Sequence, residues 1–358
     1  MNEKNKMIME EYRSQKPEFE RLEGEVVSIL QDVADKCNIR IYAINHRVKE
    51  ENSLAGKLER KSDKYSSLSD ITDIFGARVV CFFSDDVDKF AAKIEENFTV
   101  DWESSIDKRK YLNVNAFGYL SLHYICSLKQ DSDYPEELKN KRFEVQMCSL
   151  IQHIWAVMEH DLGYKTKYGV PNAVRREFYR LAGLLEIADE HFVNIRNRVF
   201  EYTSEVHEKI IADMANDVPI DSVSLDEYMN NSKNMQAFLK SISNVCEADI
   251  TQQSPENYIE QLEWLKKNTI GDLQKMLAEN YSLALRMITR RLAMAELDIL
   301  SSTVALRFLC RAELIQKQYS EELITDFFMI SMKDRERAER SAKKLFEEGK
   351  NYLTEKIS

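Results

Sequence analysis

A carboxylate and a guanidinium stand at the mouth of an apolar run in the stretch Ser69 to Phe83, where Asp73 and Arg78 precede Val79, Val80, Cys81, Phe82 and Phe83. A carboxylate at a strand end suits a hard cation, and an arginine beside it suits a nucleotide, whose phosphates and ring faces both attract guanidinium. An Asp before a strand is more often a turn or cap residue, so the pair alone favours that reading until other residues join it. Upstream, Arg47, Lys49, Lys57, Arg60, Lys61 and Lys64 concentrate positive charge around Ser53 and Gly56. Such a run is either a solvated helix face or a cradle for a triphosphate, in which Ser53 would donate a hydrogen bond. It is not a Walker loop, because the glycine, lysine and hydroxyl spacing of that motif is absent.

Downstream, Tyr119, Ser121 and His123 alternate with Leu120, Leu122 and Tyr124. A strand here presents one polar, aromatic face that would line a cleft, or a solvated face of ordinary structural residues. In Phe143 to Cys148 the residues Glu144 and Gln146 share a face that cannot be apolar. His153 and His160 lie seven apart, with no further ligand at fitting spacing, which argues against a metal site built on them.

The elements that must position these groups can be read from periodicity. Val79 to Phe83 is a short unalternating run, so the strand it forms is covered on both faces. Residues 4 to 37 keep helical spacing through Ile8, Tyr12, Phe19, Leu22, Val26 and Leu30, with Pro17 predicting a break into two helices. Ile39 to Ile44 suits a helix or a strand. Asp85 to Phe98 reads as an amphipathic helix, followed by a second strand and a long loop to Asn115. Ser149 fits a helix N-cap ahead of Leu150 to Leu162.

Asn172 to Asn216 is one long helix or two, and Asn216 to Ser222 has the composition of a domain boundary. Beyond it Leu273, Leu277, Tyr281, Leu285, Val304, Phe308 and Ile315 keep helical spacing. The expected organisation is therefore an α+β domain over 1–216, with a mixed sheet flanked by helices, followed by an all-helical region over 217–358.

With 358 residues, 44% hydrophobic and 31% charged, the chain has room for two ordinary globular cores. A net charge of −11 argues against broad, non-specific nucleic-acid binding. Nothing in the sequence reads as a membrane span or a signal peptide, so the expectation is a soluble, cytoplasmic protein. Six dispersed cysteines without a Cys-x-x-Cys pair indicate neither a zinc site nor a disulfide framework.

Taken in order, Arg47-Val-Lys49 with Ser53, Lys57 and Lys61, then Asp73-Ile-Phe-Gly-Ala-Arg78, Gly118-Tyr119-Leu-Ser121-Leu-His123, Glu144-Val-Gln146, and Trp155 to His160 with Tyr164-Lys165 form a series. This series resembles the alarmone synthetase domain of RelA/SpoT proteins over roughly residues 35 to 170. Each motif alone is unspecific; the ordered set of five is not. Long members of that family carry a hydrolase domain ahead of the synthetase, for which too few residues precede the motifs. The expectation is a small alarmone synthetase with a helical C-terminal extension.

The resemblance implies a nucleotidyltransferase-like fold and transfer of the β,γ-diphosphate of ATP to the 3′-hydroxyl of GDP or GTP, releasing AMP. It implies that Asp73 and Glu144 hold Mg2+, with Glu144 also drawing the proton from the attacking hydroxyl. Arg47 and Arg78 would sandwich adenine, while Lys49, Ser53, Lys57, Arg60 and Lys61 neutralise the triphosphate. Tyr119 would stack on the acceptor base, with Ser121, His123 and Gln146 beside it.

Two positions depart from the family's pattern, both on the acceptor side: Met147-Cys148-Ser149 replaces a common Ile-Arg-Thr, and Phe117 replaces a common Asn. An alternative reading follows, a toxic relative that modifies the tRNA 3′ end or an adenine nucleotide, motivated by those changes and by Arg109, Lys110, Lys139, Lys141 and Arg142. A third is a nucleotide-binding regulator without activity, against which the retention of both Asp73 and Glu144 speaks. The helical region leaves homo-oligomerisation, autoinhibition and partner binding open.

Overall fold

The structure is a computed structural model that describes residues 3–61, 64–107, 121–164, 171–292 and 297–354. It divides into two compact units, 1–196 and 197–358. In the first, Glu3–Lys36 is a single helix, α1, that runs through Pro17 without the predicted break. A proline inside a helix costs about 3 kcal/mol. Ile8, Tyr12, Phe19, Leu22, Val26 and Leu30 are all buried on the same helix, and each contributes about 1.5–3 kcal/mol. Burial therefore outweighs the proline several-fold.

The ambiguous segment after α1 is a strand, β1 (Ile41–Val48), which carries Arg47, and Lys57 and Arg60 of the basic run lie on a helix, α2 (Glu51–Arg60). A 3-10 turn at Leu68–Asp70 leads to β2 (Phe75–Cys81), whose Val79, Val80 and Cys81 are fully buried, as an unalternating run requires. Then follow α3 (Ser84–Asn97), β3 (Phe98–Asp107), β4 (Leu122–Leu128), the short α4 (Glu136–Lys139) and β5 (Phe143–Ser149).

The sheet order is β1-β2-β5-β4-β3, and its pairs are antiparallel except β2 with β5. A parallel pair needs a long crossover, and the segment from α3 to α4 supplies it. One face of the sheet is apolar: Phe75, Ala77 and Val79 of β2, Val145 and Met147 of β5 and Leu122 and Cys126 of β4 join the buried side of α1 and α3 in one core. Phe143 ties it together, with ring centroids 5.6 Å from Phe75 and 5.4 Å from Phe98.

Beyond β5 come α5 (Leu150–Tyr164) and the start of α6 (Asn172–Ile211). Ser149 caps α5 as its spelling predicts. Its Oγ accepts the amide of Gln152 at 3.1 Å, and the Gln152 side chain accepts the Ser149 amide at 2.9 Å. This is a reciprocal capping arrangement. The buried Ser149 hydroxyl also donates to Asp189 of α6 at 2.6 Å.

The second unit is helical: α7 (Ser222–Asn231), α8 (Lys233–Cys246), α9 (Ile259–Trp264), α10 (Ile270–Leu292), α11 (Val304–Gln316), α12 (Glu321–Met332) and α13 (Arg335–Thr354). A three-residue parallel pair, β6 (Asp249–Thr251) with β7 (Ile299–Ser301), is added to them. Leu225, Tyr228, Phe238, Leu273, Leu277, Phe308 and Phe327 share its core.

The expected domain boundary at 216/217 falls inside this unit, and the reason is local. Ile220 donates its amide to Asn268 at 2.8 Å and Ile270 to Val218 at 2.8 Å, so the segment is bonded to the start of α10. Gly271 permits that approach, since a Cβ there would lie 2.6 Å from the Asn216 carbonyl oxygen. No helix of the described residues is long and apolar enough to cross a membrane.

Candidate active site

Opposite its apolar face the sheet carries two rows of residues set by strand register. Arg47, Gly76, Glu144 and Ile125 are cross-strand partners in sequence β1-β2-β5-β4, and Asn45, Arg78, Gln146 and His123 form the adjacent row. Gly76 stands between Arg47 and Glu144, where any side chain would rise from the floor. Asn45, His46, Arg47, Lys49, Asp73, Gly76, Ala77, Arg78, Glu144 and Gln146 line one cavity of about 310 Å3.

Asp73, on the turn before β2, is gripped by two ammonium groups. Lys57 of α2 reaches its Oδ1 at 2.6 Å, and Lys49, just past β1, its Oδ2 at 3.1 Å. Burial alone would raise the carboxyl's pKa, but the Lys57 hydrogen bond and the charges of both lysines outweigh it and hold Asp73 below the usual carboxylate range. The Lys49 backbone is itself fixed, because its amide donates to Ile74 at 2.7 Å and its carbonyl accepts the hydroxyl of Tyr12 from α1.

Glu144 is held from the other side. His123 Nδ1 lies 2.7 Å from its Oε1, Gln146 Nε2 donates to its Oε2 at 2.9 Å, and Ser121 Oγ lies 2.6 Å from His123 Nε2. Arg78 donates to the Gln146 side-chain oxygen through Nε at 3.1 Å and Nη2 at 2.8 Å. A hydrogen-bonded chain thus runs from Ser121 through His123, Glu144 and Gln146 to Arg78. Burial pushes the Glu144 carboxyl up, but the hydrogen bond and charge of His123, helped by Gln146, bring it below the usual range against the opposing field of Asp73.

The cleft therefore gathers Arg47, Lys49, Asp73, Arg78, Glu144 and Gln146, with Lys57, Ser121 and His123 attached through direct bonds. Ser53, Arg60 and Lys61 are exposed and do not line it; the Arg60 Nε donates instead to the Gly56 carbonyl at 3.0 Å. Tyr119, Arg109 and Lys110 lie outside the described residues. Sequence reasoning missed Asn45 and Gly76. The alternation of Asn45 with Arg47 on one strand face was the available signal for the first, and register with β5, which sequence does not carry, was needed for the second.

Among the described residues no group of three or more His, Cys, Asp and Glu side chains is arranged to hold a metal ion. Asp73 and Glu144, which line one cavity, are the carboxylates there that could hold a small hard cation, which is commonly bound by one or two carboxylates and completes its shell with water and substrate phosphates. The cations cited for an RNA partner are largely committed elsewhere. Lys139 bonds to the Gln130 carbonyl and Glu136, Lys141 to Gln15 and Glu18, and Arg142 to Asp101 and the Ser69 carbonyl.

Comparison with known proteins finds relatives of the chain. A family described as "Region found in RelA / SpoT proteins" matches residues 46–169. GTP pyrophosphokinase YjbM of Bacillus subtilis (strain 168) is 30% identical over 161 residues, spanning 44% of this chain and 73% of that protein. GTP pyrophosphokinase YwaC of the same organism is 26% identical over 161 residues, 43% of this chain and 72% of that protein. The crystal structure of small alarmone synthetase 1 from Bacillus subtilis shares 26% identity with a TM-score of 0.45, over 54% of this chain and 98% of its own. The matched region ends before the helical second unit begins.

Proposed function

The chain belongs to the RelA/SpoT-type alarmone synthetases, the family of small GTP pyrophosphokinases, and from that premise we propose that its cleft transfers the β,γ-diphosphate of ATP to the 3′-hydroxyl of GDP or GTP and releases AMP. The observation that supports this reading is the cleft itself, whose lining brings together Asp73, from the turn before β2, and Glu144, from β5, with Arg47, Lys49 and Arg78.

In this reading Arg47 and Arg78 take the adenine, by planar stacking, and Lys49 and Lys57 take the phosphates. Both carboxylate oxygens of Asp73 are bonded to those lysines. When phosphate oxygens claim the ammonium groups, Asp73 is released to act with Glu144. The pair would then hold Mg2+, which supplies charge neutralisation at the transferring phosphates when bound.

Glu144 is ionised at neutral pH, since its carboxyl is held low, and it accepts the proton of the attacking hydroxyl. His123, fixed between Ser121 and Glu144, orients that carboxylate and limits its rotation. Most of the acceleration comes from in-line positioning and charge neutralisation in the cleft.

The test is a transfer assay. Protein with Mg2+ and ATP labelled at the γ-phosphate is given GDP, GTP, ADP or deacylated tRNA in turn, and the label is followed. Label on the guanine nucleotides, lost in Glu144→Gln, is the expected result. Label on tRNA or ADP alone would replace the acceptor, and no transfer under conditions where ATP binds would leave a nucleotide-binding regulator.

A further inference from the structure

Between α5 and α6 lies a cavity of about 160 Å3 that shares no lining residue with the cleft on the sheet. Ile151 and Trp155 of α5 and Leu185, Glu186, Asp189 and Glu190 of α6 line it. Ile151 and Trp155 are four apart, and Glu186 stands three and four residues before the other two acids, so each helix gives one face to the space. Its walls are aliphatic and aromatic, and its charged groups are all acidic.

Asp189 is the deep member at 5% exposure, and Trp155 is 4% exposed, whereas Glu186 and Glu190 are exposed at the rim. One oxygen of Asp189, Oδ2, accepts the Ser149 hydroxyl at 2.6 Å. The other, Oδ1, is buried without a hydrogen-bond partner, and so is the Trp155 indole nitrogen. A brace between α6 and β5 needs only the first oxygen and leaves the second, with two further carboxylates, unused. Among the described residues no lysine, arginine or histidine pairs with Glu186, Asp189 or Glu190. Burial holds the Asp189 carboxyl above the usual carboxylate range, and the fields of Glu190 and Asp85 add to it against the Ser149 hydrogen bond. Asp73 and Glu144 are the reverse case, since lysines or an imidazole bring each of them below that range. A buried acid with an unused oxygen, set among like charges, is completed by a cation that can donate hydrogen bonds.

We propose that this cavity binds a linear aliphatic diamine. One ammonium group takes the open side of Asp189 with the Trp155 ring as its wall, and the second is held at the rim by Glu186 and Glu190. The methylene chain between them lies along Ile151 and Leu185. One deep carboxylate and two outer ones suit two separated charges better than one. A hard metal ion needs its oxygen ligands gathered at a single point, and no three acidic side chains of the described residues are so gathered.

The full chain is titrated by calorimetry with 1,4-diaminobutane, with butylamine and magnesium ion as separate arms, and hydrogen exchange is followed over Leu150–Tyr164 and Asn172–Ile211. One saturable site for the diamine, slowed exchange in both helices, and affinity about tenfold weaker for butylamine are the expected results. Glu186→Gln with Glu190→Gln, at exposed positions that leave the core intact, should weaken the diamine about tenfold and bring it near butylamine. Asp189→Asn keeps an acceptor for Ser149 while removing the charge, so it should abolish the site, with thermal unfolding used to verify the fold. Asp73→Asn should bind the diamine as the wild type does. No saturable binding by the wild type, unchanged affinity in the Glu186 and Glu190 double variant, or equal affinity for butylamine would each overturn the proposal. So would loss of binding in Asp73→Asn, which would move the diamine to the sheet cleft, and displacement of the diamine by an equal concentration of magnesium ion, which would reduce the site to charge alone.

Discussion

Replacing Asp73 by Asn should make the cleft bind metal-free triphosphate more tightly while removing transfer. In the wild-type protein the ammonium groups of Lys57 and Lys49 are engaged at 2.6 and 3.1 Å by a carboxylate, and all three side chains are less than a third exposed. A nucleotide arriving without metal must break those bonds. A partly buried charge-assisted bond is worth about 1.5–3 kcal/mol net, and residual hydration keeps the two together within about that same range. Asn removes the charge and keeps the shape, so affinity for a non-hydrolysable ATP analogue in EDTA should rise about 10- to 100-fold.

Adding Mg2+ should then tighten binding to the wild type and do little for Asp73→Asn. The same substitution predicts a pH signature. The folded pKa of Asp73 is lowered, so the carboxylate stabilises the fold at pH values above its unfolded value of about 3.9, and that stabilisation disappears as pH falls through the folded value. Asp73→Asn should be less stable than wild type near neutrality, with the deficit closing in acid. Titration calorimetry and urea unfolding against pH measure both effects. If Asp73→Asn binds metal-free analogue no better than wild type, the lysines are not withheld by Asp73 and the release step is wrong.

Three further outcomes are expected. Glu144→Gln should lower transfer by about 10²- to 10⁴-fold, the usual worth of a proton acceptor, with the fold retained at some cost in stability near neutrality, since this carboxyl too is held low; wild-type rates in this variant would remove Glu144 from the chemistry. His123→Ala strips Glu144 of the hydrogen bond and charge that lower its pKa, so the acid limb of the pH–rate profile should move to higher pH, and an unmoved limb would assign His123 a packing role. Gly76→Leu should block ATP binding at a stability cost of about 1 kcal/mol or less, because a Cβ there meets only ordinary contact, 3.7 Å from the Glu144 carbonyl oxygen; retained ATP affinity would show that the floor of the cleft is not where nucleotide sits.

Local chemistry was the legible part of this molecule. The apolar run at Val79 to Cys81 announces a strand covered on both faces, and Ser149 followed by Gln152 spells a helix start that the hydrogen bonds bear out. Pairing between distant residues was not legible. That Lys57 would close on Asp73, or that Gly76 would stand between Arg47 and Glu144, follows from strand register and from the fold of α2 against the sheet.

Composition misled in two places for the same reason. Pro17 and the Asn216 to Ser222 segment carry the residue types that interrupt structure, yet burial along α1 and backbone bonding to residues 268–270 override them. Of the basic run, Arg47, Lys49 and Lys57 reach the cleft and Arg60 and Lys61 do not. Six positive charges in sequence carried no sign of which of them the fold would bring together.

The position of β5 bears on how the protein comes into being. It is the last strand of its unit to be synthesised, yet it occupies the middle of the sheet, between β2 and β4. Until residues 143–149 emerge, the β1-β2 pair and the β3-β4 pair have no shared partner, and the contacts that join them are of the long-range kind that forms slowly. A nascent or truncated chain that stops short of this strand would own Lys49 and Lys57 without Glu144, and so should show none of the proposed transfer until its sheet is closed.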